Sequence, residues 1–464
     1  MSAQRPLGVT DTGTIGLTSD ALRVRTRDEV RSGRVGLLAL SGITLTTLLV
    51  TVAAAGTDRL LPETIQPPPA SLAGPFGGAS FNIRSGGLIA AMVLMFACYV
   101  IAVRTAERVS ARAMLLCIGA INVLVLLAPP LLSTDIFSYQ MYGHMGALYG
   151  FNPYLAGPHA LQLDPLSQYV GAKWAYTPSV YGPVFTILSY ILAPLSIAAS
   201  ALAYKSIAAI SSLGTVALVW NAARLRQVNP VKAVALVGLN PLTVIYGVGG
   251  GHNDLLMLVA LMAGVYLLML NRERSSGAMM VVAAAVKVSA ILPMLFAVIS
   301  GHGQRQERVR RGVIIGGAAA TAAVAVLTFA VFGTGSLHLP ATLVQVQGEG
   351  DWHSVPGLLS ALGFPTASTV FSVLLAVAFV VIVLWLARRV WLGQLDWLRA
   401  TGWTTATVLV TTSSLLPWYV AWLMPFAALV KDRRLWRFAL VFTGFILTLQ
   451  LGGYIPAFKE WLNV

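Results

Sequence analysis

Apolar residues fill runs near 35–55, 86–103, 113–132, 183–203, 206–222, 233–250, 254–270, 277–299, 312–333, 367–387, 401–430 and 438–452, separated by short polar clusters. A helix of about 20 apolar residues matches the hydrocarbon core of a bilayer. Lipid offers no partner for an unpaired backbone group, so spanning segments must be helices or a closed barrel. The pattern predicts an all-α polytopic membrane protein, a bundle of about 11–13 transmembrane or half-membrane helices. Two runs carry internal breaks, one at Lys287 with Pro293 beyond it and one at Leu416-Pro417-Trp418-Tyr419; Pro194 raises the same question for 183–203.

Composition and charge refine this picture. The 464 residues are 57% apolar and 10% charged, with a mean hydropathy of +0.76, so lipid is the governing solvent. The net charge of +14 does not signal nucleic acid, because the basic residues sit in short clusters between apolar runs. Those clusters near 104–112, 224–232, 271–276, 301–312, 388–399 and 431–437, with the Arg-rich tail 1–34, fall on the cytoplasmic side by the positive-inside rule. The remainder, 35–464, forms one membrane domain of the plasma membrane, with segments 57–85, 133–182 and 334–356 on the external face. Both flanks of 277–299 are then cytoplasmic, so that run must enter and return as two half-helices, and 401–430 behaves likewise. Tail 1–34 lacks the apolar core of a signal peptide. Cys98 and Cys117 lie inside apolar runs and define no disulfide framework or metal site.

Function must be carried by the polar residues that interrupt the apolar ones. Loop 133–182 opens with Asp135, followed by a helical pattern that stacks Phe137, Met141, Met145 and Leu148 on one face, as in a helix lying in the membrane interface. An N-cap explains an aspartate at such a position; so does a general base where lipid and water meet. Tyr139 and His144 on this helix, then Asn152 and Tyr181 among Asn152-Pro153-Tyr154 and Tyr181-Gly182-Pro183, are candidate substrate contacts, although aromatic belts share that composition. Gly249-Gly250-Gly251 leads into His252, Asn253 and Asp254, where helix capping competes with sugar binding. Lys287 lies mid-run, too deep for easy snorkelling, and an ionisable group there is a functional candidate with a lipid phosphate as its natural counter-charge. Trp352 and His353, in the cluster from Gln345 to Ser354, and Trp418 and Tyr419 complete the set. A metal site would need further ligands that the sequence does not assign.

With these residues in view, the chain from about 110 to 455 resembles the GT-C superfamily of polyprenyl-phosphate-sugar-dependent glycosyltransferases, and within it the actinobacterial polyprenyl-phosphomannose-dependent α-1,6-mannosyltransferases. The resemblance is carried by Leu132 to Tyr139, Gly150 to Tyr154, Pro178 to Pro183, Asn240-Pro241 leading to Gly251 through Asp254, and Pro417 to Tyr419. It implies a GT-C-like bundle with interfacial helices in its external loop, and Asp135 as catalytic base. Many members carry two adjacent acids where this chain has Thr134-Asp135, which argues against a metal-dependent mechanism. Also implied are a polyprenyl-phosphate sugar donor, a lipid-linked glycan acceptor and inverting transfer, with Lys287, or alternately His252, meeting the leaving phosphate. A transporter or flippase is the main rival, since broken helices and a buried lysine also mark transport sites; an envelope scaffold protein is another. Within the enzyme class, the donor sugar is open to glucose or arabinose.

Overall fold

The computed structural model describes residues 18–55, 70–77, 83–300, 303–348, 352–364 and 369–462. The tail segment 1–17, most of external segment 57–85, and the acids Glu349 and Asp351 of the second outer cluster lie outside the described residues. Among the described residues every regular element is helical.

The chain opens with α1 (Thr18–Ala54), α2 (Arg84–Thr105) and α3 (Ala111–Leu127). Helix α1 extends the first apolar run back into the expected tail, whose second half is therefore helical. Next come α4 (Asp135–Ala147), α5 (Pro183–Leu192), α6 (Ile197–Leu225), α7 (Pro230–Gly238), α8 (Asp254–Met269), α9 (Glu273–Val286) and α10 (Ile291–Val298). The last part holds α11 (Gly303–Phe332), α12 (Leu339–Gly348), α13 (Val355–Ala361), α14 (Thr369–Trp391), α15 (Trp397–Thr411), α16 (Met424–Leu429), α17 (Arg433–Gly452) and α18 (Pro456–Leu462). Side-chain oxygens begin many of these helices: Ser110 accepts from the Ala113 N–H, Ser196 from Ala199 and Asn229 from Lys232.

Among the described residues, six helical stretches are long and apolar enough to cross a bilayer, and five shorter apolar helices of 10–17 residues lie among them. A seventh span forms if α7 and the π-helical turn Leu242–Val248 are joined across their 50° bend. The bend falls at Asn240-Pro241, where proline has no N–H to continue the ladder. The Asn240 carboxamide oxygen accepts from the Leu242 and Thr243 N–H groups, each at 3.1 Å, satisfying donors that the bend would orphan. The run 233–250 is thus bent, whereas its sequence reads as straight.

Both expected re-entrant breaks are present. Helix α9 ends at Lys287, whose backbone is extended, and a short 3-10 turn at Val288–Ala290 leads into α10. Its two legs return to one end of α11, with Glu273 paired to Arg308 and the Gln306 side chain donating to the Ile299 carbonyl. At the far tip, the Gly182 N–H donates to the Val286 carbonyl at 3.0 Å. The second hairpin runs from α15 through the non-helical residues 412–416 and the 3-10 turn Pro417–Trp422 into α16. Asp432, just beyond it, accepts from Arg399 and Trp403 on α15 at 2.6 and 3.0 Å, closing the hairpin at its base.

The run 183–203 is broken at Pro194, which lies in the turn between α5 and α6, and α5 at 10 residues is too short to cross alone. Other expectations are corrected. Helix α4 does not lie half-exposed in an interface, because every residue from Asp135 to Gly143 is buried. It packs on α5 closely enough that a Cβ at Gly143 would meet the Ser189 carbonyl. The expected loop 334–356 is largely helical, carrying a 3-10 turn at Gly333–His338, α12 and the start of α13.

Candidate active site

Helix α3 ends at Leu127, and the Ala128-Pro129-Pro130 segment drops the chain into the turn before α4. Two side contacts hold this turn. The Leu131 N–H donates to the Gly249 carbonyl at 3.0 Å, and the Lys205 ammonium of α6 donates to the carbonyls of Ala128 and Pro129. Leu132 adopts φ +56°, a left-handed conformation uncommon for a branched side chain and stored three residues before Asp135. Asp135 is the first residue of α4, so the cap position belongs to Thr134, whose side chain makes no capping bond. Capping therefore does not account for Asp135. Its N–H donates to Ser133 Oγ at 3.2 Å, and its carboxylate lines a cavity of about 700 Å³.

The glycine turn brings the second group of polar residues to the same place. Gly251 has φ +68°, which lets the chain reverse into α8 without a side-chain penalty. His252 Nδ1 then lies 3.1 Å from the Tyr139 hydroxyl and 3.6 Å from Asp135 Oδ2, the latter an ion-pair distance too long for a hydrogen bond. Burial, followed by the charges of Asp135 and Asp254, pushes the Tyr139 phenol well above its ordinary value, so it stays protonated. Trp418 stacks on the His252 ring with centroids 3.4 Å apart; it is buried beneath the site and is no surface anchor. His252 Nε2, both polar atoms of Asn253 and Trp418 Nε1 are buried without a hydrogen-bond partner among the described residues. Asn253 stands at the cap position of α8 but its side chain caps nothing.

Lys287 supplies the cation. Its ammonium lies 2.8 and 2.9 Å from the two oxygens of Asp254, and Trp422 Nε1 donates to Asp254 Oδ1 at 2.8 Å. Tyr419 and Trp422 lie 4.4 and 5.3 Å from the ammonium, measured to their ring centroids. Lys287, expected to meet a phosphate, thus already holds a protein carboxylate, as the cost of a bare buried ion requires. Lys287 and Tyr419 line the same cavity as Asp135, together with Tyr181. Gly182 makes this possible: a Cβ there would collide with the Ala285 carbonyl, so only glycine lets the Tyr181 segment dock on the end of α9. The rest of the lining is mostly apolar, with Leu343, Phe371, Leu375, Phe379 and Val408 beside the polar Gln347, Ser372 and Thr411.

Of the expected contacts, Tyr139, His252, Asn253, Asp254 and Trp418 are buried and do not line the cavity, and four more lie elsewhere. His144 Nδ1 is 2.9 Å from Asp164 Oδ2, which ties the other end of α4 to the loop. Asn152 donates to the Phe332 carbonyl and accepts from the Tyr154 N–H. Trp352 lies tilted against the His353 ring and packs on Phe458, and none of the four lines the cavity. Trp422 and Lys205 went unremarked in the sequence. Lys205 was detectable as a lysine in the two-residue gap between the apolar runs 183–203 and 206–222, and Trp422 carries no signal beyond its residue type.

Fold and site together define an all-α polytopic membrane protein with a cavity that sets ionic groups in a mostly apolar lining. The chain belongs to the α-(1→6)-mannopyranosyltransferase family: the model of that family's N-terminal domain matches residues 38–301. It is similar to α-(1→6)-mannopyranosyltransferase A of Mycobacterium tuberculosis, 29% identical over 340 residues covering 66% of this chain and 64% of that protein. The similarity to α-(1→6)-mannopyranosyltransferase A of Corynebacterium glutamicum is 28% over 188 residues, 39% of this chain and 37% of the relative. The B enzyme of the same organism is 33% identical over 159 residues, 32% of this chain and 26% of its own length. The match thus spans less than two thirds of each of these relatives. No solved structure matches the chain.

Proposed function

We propose that this protein is a membrane mannosyltransferase that moves mannose from a polyprenyl-phosphate donor to a lipid-anchored α-1,6-mannan of the lipomannan or lipoarabinomannan type, on the external face of the plasma membrane with its N-terminus in the cytoplasm. The observation that carries the reading is the meeting of Asp135 and the Lys287–Asp254 pair on a cavity whose remaining lining is mostly apolar. A lipid phosphate sugar has that same distribution, a charged and hydroxylated head on a hydrocarbon tail. The names of the relatives support mannose and the α-1,6 linkage.

In this reading Asp135 takes the proton of an acceptor hydroxyl as the oxygen bonds to the anomeric carbon. The bond from that carbon to the phosphate oxygen breaks, the phosphate keeps the electron pair, and a β-linked donor yields an α-linked product. A general base is worth about 10²–10⁴-fold. A phosphate leaving group needs charge stabilisation more than a proton. Lys287 supplies it while still bridging to Asp254, and the neutral Tyr139 hydroxyl orients His252 beside the base. No metal is needed in this scheme, because Asp254 already has both oxygens on Lys287.

The test is transfer from radiolabelled polyprenyl-phosphate mannose to an α-1,6-mannan acceptor by purified protein, with Asp135→Asn alongside. The expected result is a loss of at least a hundredfold with unchanged thermal melting. Full activity in Asp135→Asn overturns the base assignment, and movement of intact donor across vesicles without transfer identifies a flippase instead.

A further inference from the structure

A second cavity, of about 580 Å³, lies between the start of α7 and the junction of α16 with α17. It is remote from Asp135, at the base of the second hairpin where Asp432 meets Arg399. Four cations line it, Lys232, Lys431, Arg433 and Arg437, against two acids, Glu107 and Asp432. Both acids are engaged. Glu107 pairs with Lys232 at 3.0 Å, and Asp432 accepts from Arg399, Trp403 and the N–H groups of Arg434 and Leu435. Lys431, Arg433 and Arg437 therefore face the hollow with no carboxylate partner among the described residues. The two helix starts at its rim are capped by Asn229 and Asp432, so an anion here would be met by side chains.

The remaining walls are apolar. Ala427, Ala428 and Val430 form one side and Val228 and Ala233 another, with the Trp436 indole lying 5.7 Å from the Lys232 ammonium. Topogenic charge explains why basic residues occur at this end of the helices, but does not explain their convergence on a hollow with an indole and an aliphatic floor. A free phosphate would use the cations and leave that floor unfilled. A lipid headgroup would use both, and basic pockets between membrane helices take anionic lipid headgroups.

We propose that this cavity is a binding site for the phosphodiester headgroup of an anionic phospholipid, with Lys431, Arg433 and Arg437 as its cations and Trp436 packing on the glycerol and upper acyl region. The inference stands whether or not the mannosyl-transfer reading holds.

The experiment is native mass spectrometry of the full chain released from nanodiscs of phosphatidylglycerol mixed with phosphatidylcholine. Wild-type protein is expected to retain phosphatidylglycerol selectively. In Lys431→Gln/Arg433→Gln/Arg437→Gln, retention should fall to the phosphatidylcholine level. Because neutralising a topogenic cluster can impair insertion, Val228→Trp provides a variant that fills the hollow and keeps every charge; it should lose the lipid as well. Unchanged phosphatidylglycerol retention in either folded variant overturns the site. Saturable binding of inorganic phosphate without selective lipid retention overturns the lipid assignment.

Discussion

An aspartate at the start of a helix has two explanations in sequence, and the geometry separates them by a single residue. Asp135 is the first helical residue rather than the cap, and its carboxylate turns to the cavity. Lys287 shows the opposite case. Its depth was legible, since a lysine in mid-run stands out in any apolar pattern, but its partner was not, because Asp254 is 33 residues away and carries its own local explanation as a helix-start acid. The pair yields a prediction. Lys287→Met leaves Asp254 charged and buried against Trp422 alone, a change that costs about 3–5 kcal/mol. Lys287→Met/Asp254→Asn removes the uncompensated charge, so thermal melting in detergent should place the double variant above the single one. Transfer activity should be lost in both, since neither has a cation for the phosphate. A single variant as stable as the double would mean that the pair is not a buried ion pair in the working protein.

At the scale of elements, charge parity located both hairpins, since two basic clusters assigned to one side and flanking a single run leave that run no path but to turn back. What parity cannot supply is how a hairpin is closed. For α15 and α16 the closure is Asp432, where Arg399 and Trp403 from the first leg meet the cap of α17. Burial raises this carboxyl, but hydrogen bonds from Trp403, the Leu435 N–H, Arg399 and the Arg434 N–H together hold it below its ordinary value. A carboxyl lowered in the folded state stabilises above its unfolded pKa of about 3.9 and loses that contribution as pH falls through the native value. Asp432→Asn keeps a capping oxygen and loses the ionic bonds, so it should cost about 1.5–3 kcal/mol near neutrality. Melting curves of the two proteins should converge as pH drops below about 4; a gap that persists there would assign the loss to packing. The α4 expectation failed for a related reason. Its periodicity fits an interfacial helix, and only the packing of α5 and α6 against it turns the remaining faces inward.

For the whole molecule, the polar half of the candidate site was more legible than the apolar half. Asp135, His252 and Lys287 are rare residue types in their surroundings, and all three fall within the stretch matched by the family's N-terminal domain model. The apolar wall lies beyond that stretch, on α12, α14 and α15, where one aliphatic residue looks like another and only the fold says which of them face the cavity. His144 and Asn152 show the converse, being polar residues with strong local signals that the fold spends on tying loops together. If the apolar wall holds a polyprenyl chain, narrowing it should discriminate donors by tail length. Ala376 lines that wall from α14, which is mostly exposed toward lipid and accommodates a larger side chain with little strain. Ala376→Trp should therefore raise KM for a long-chain polyprenyl-phosphate mannose by about tenfold, the effect of about 1.4 kcal/mol of lost binding. A short-chain donor that does not reach α14 should keep its wild-type KM, and kcat should be unchanged for both because Asp135 and Lys287 are untouched. Equal KM values for the long-chain donor in the two proteins would mean that the tail leaves the site by another route, directly into the surrounding lipid.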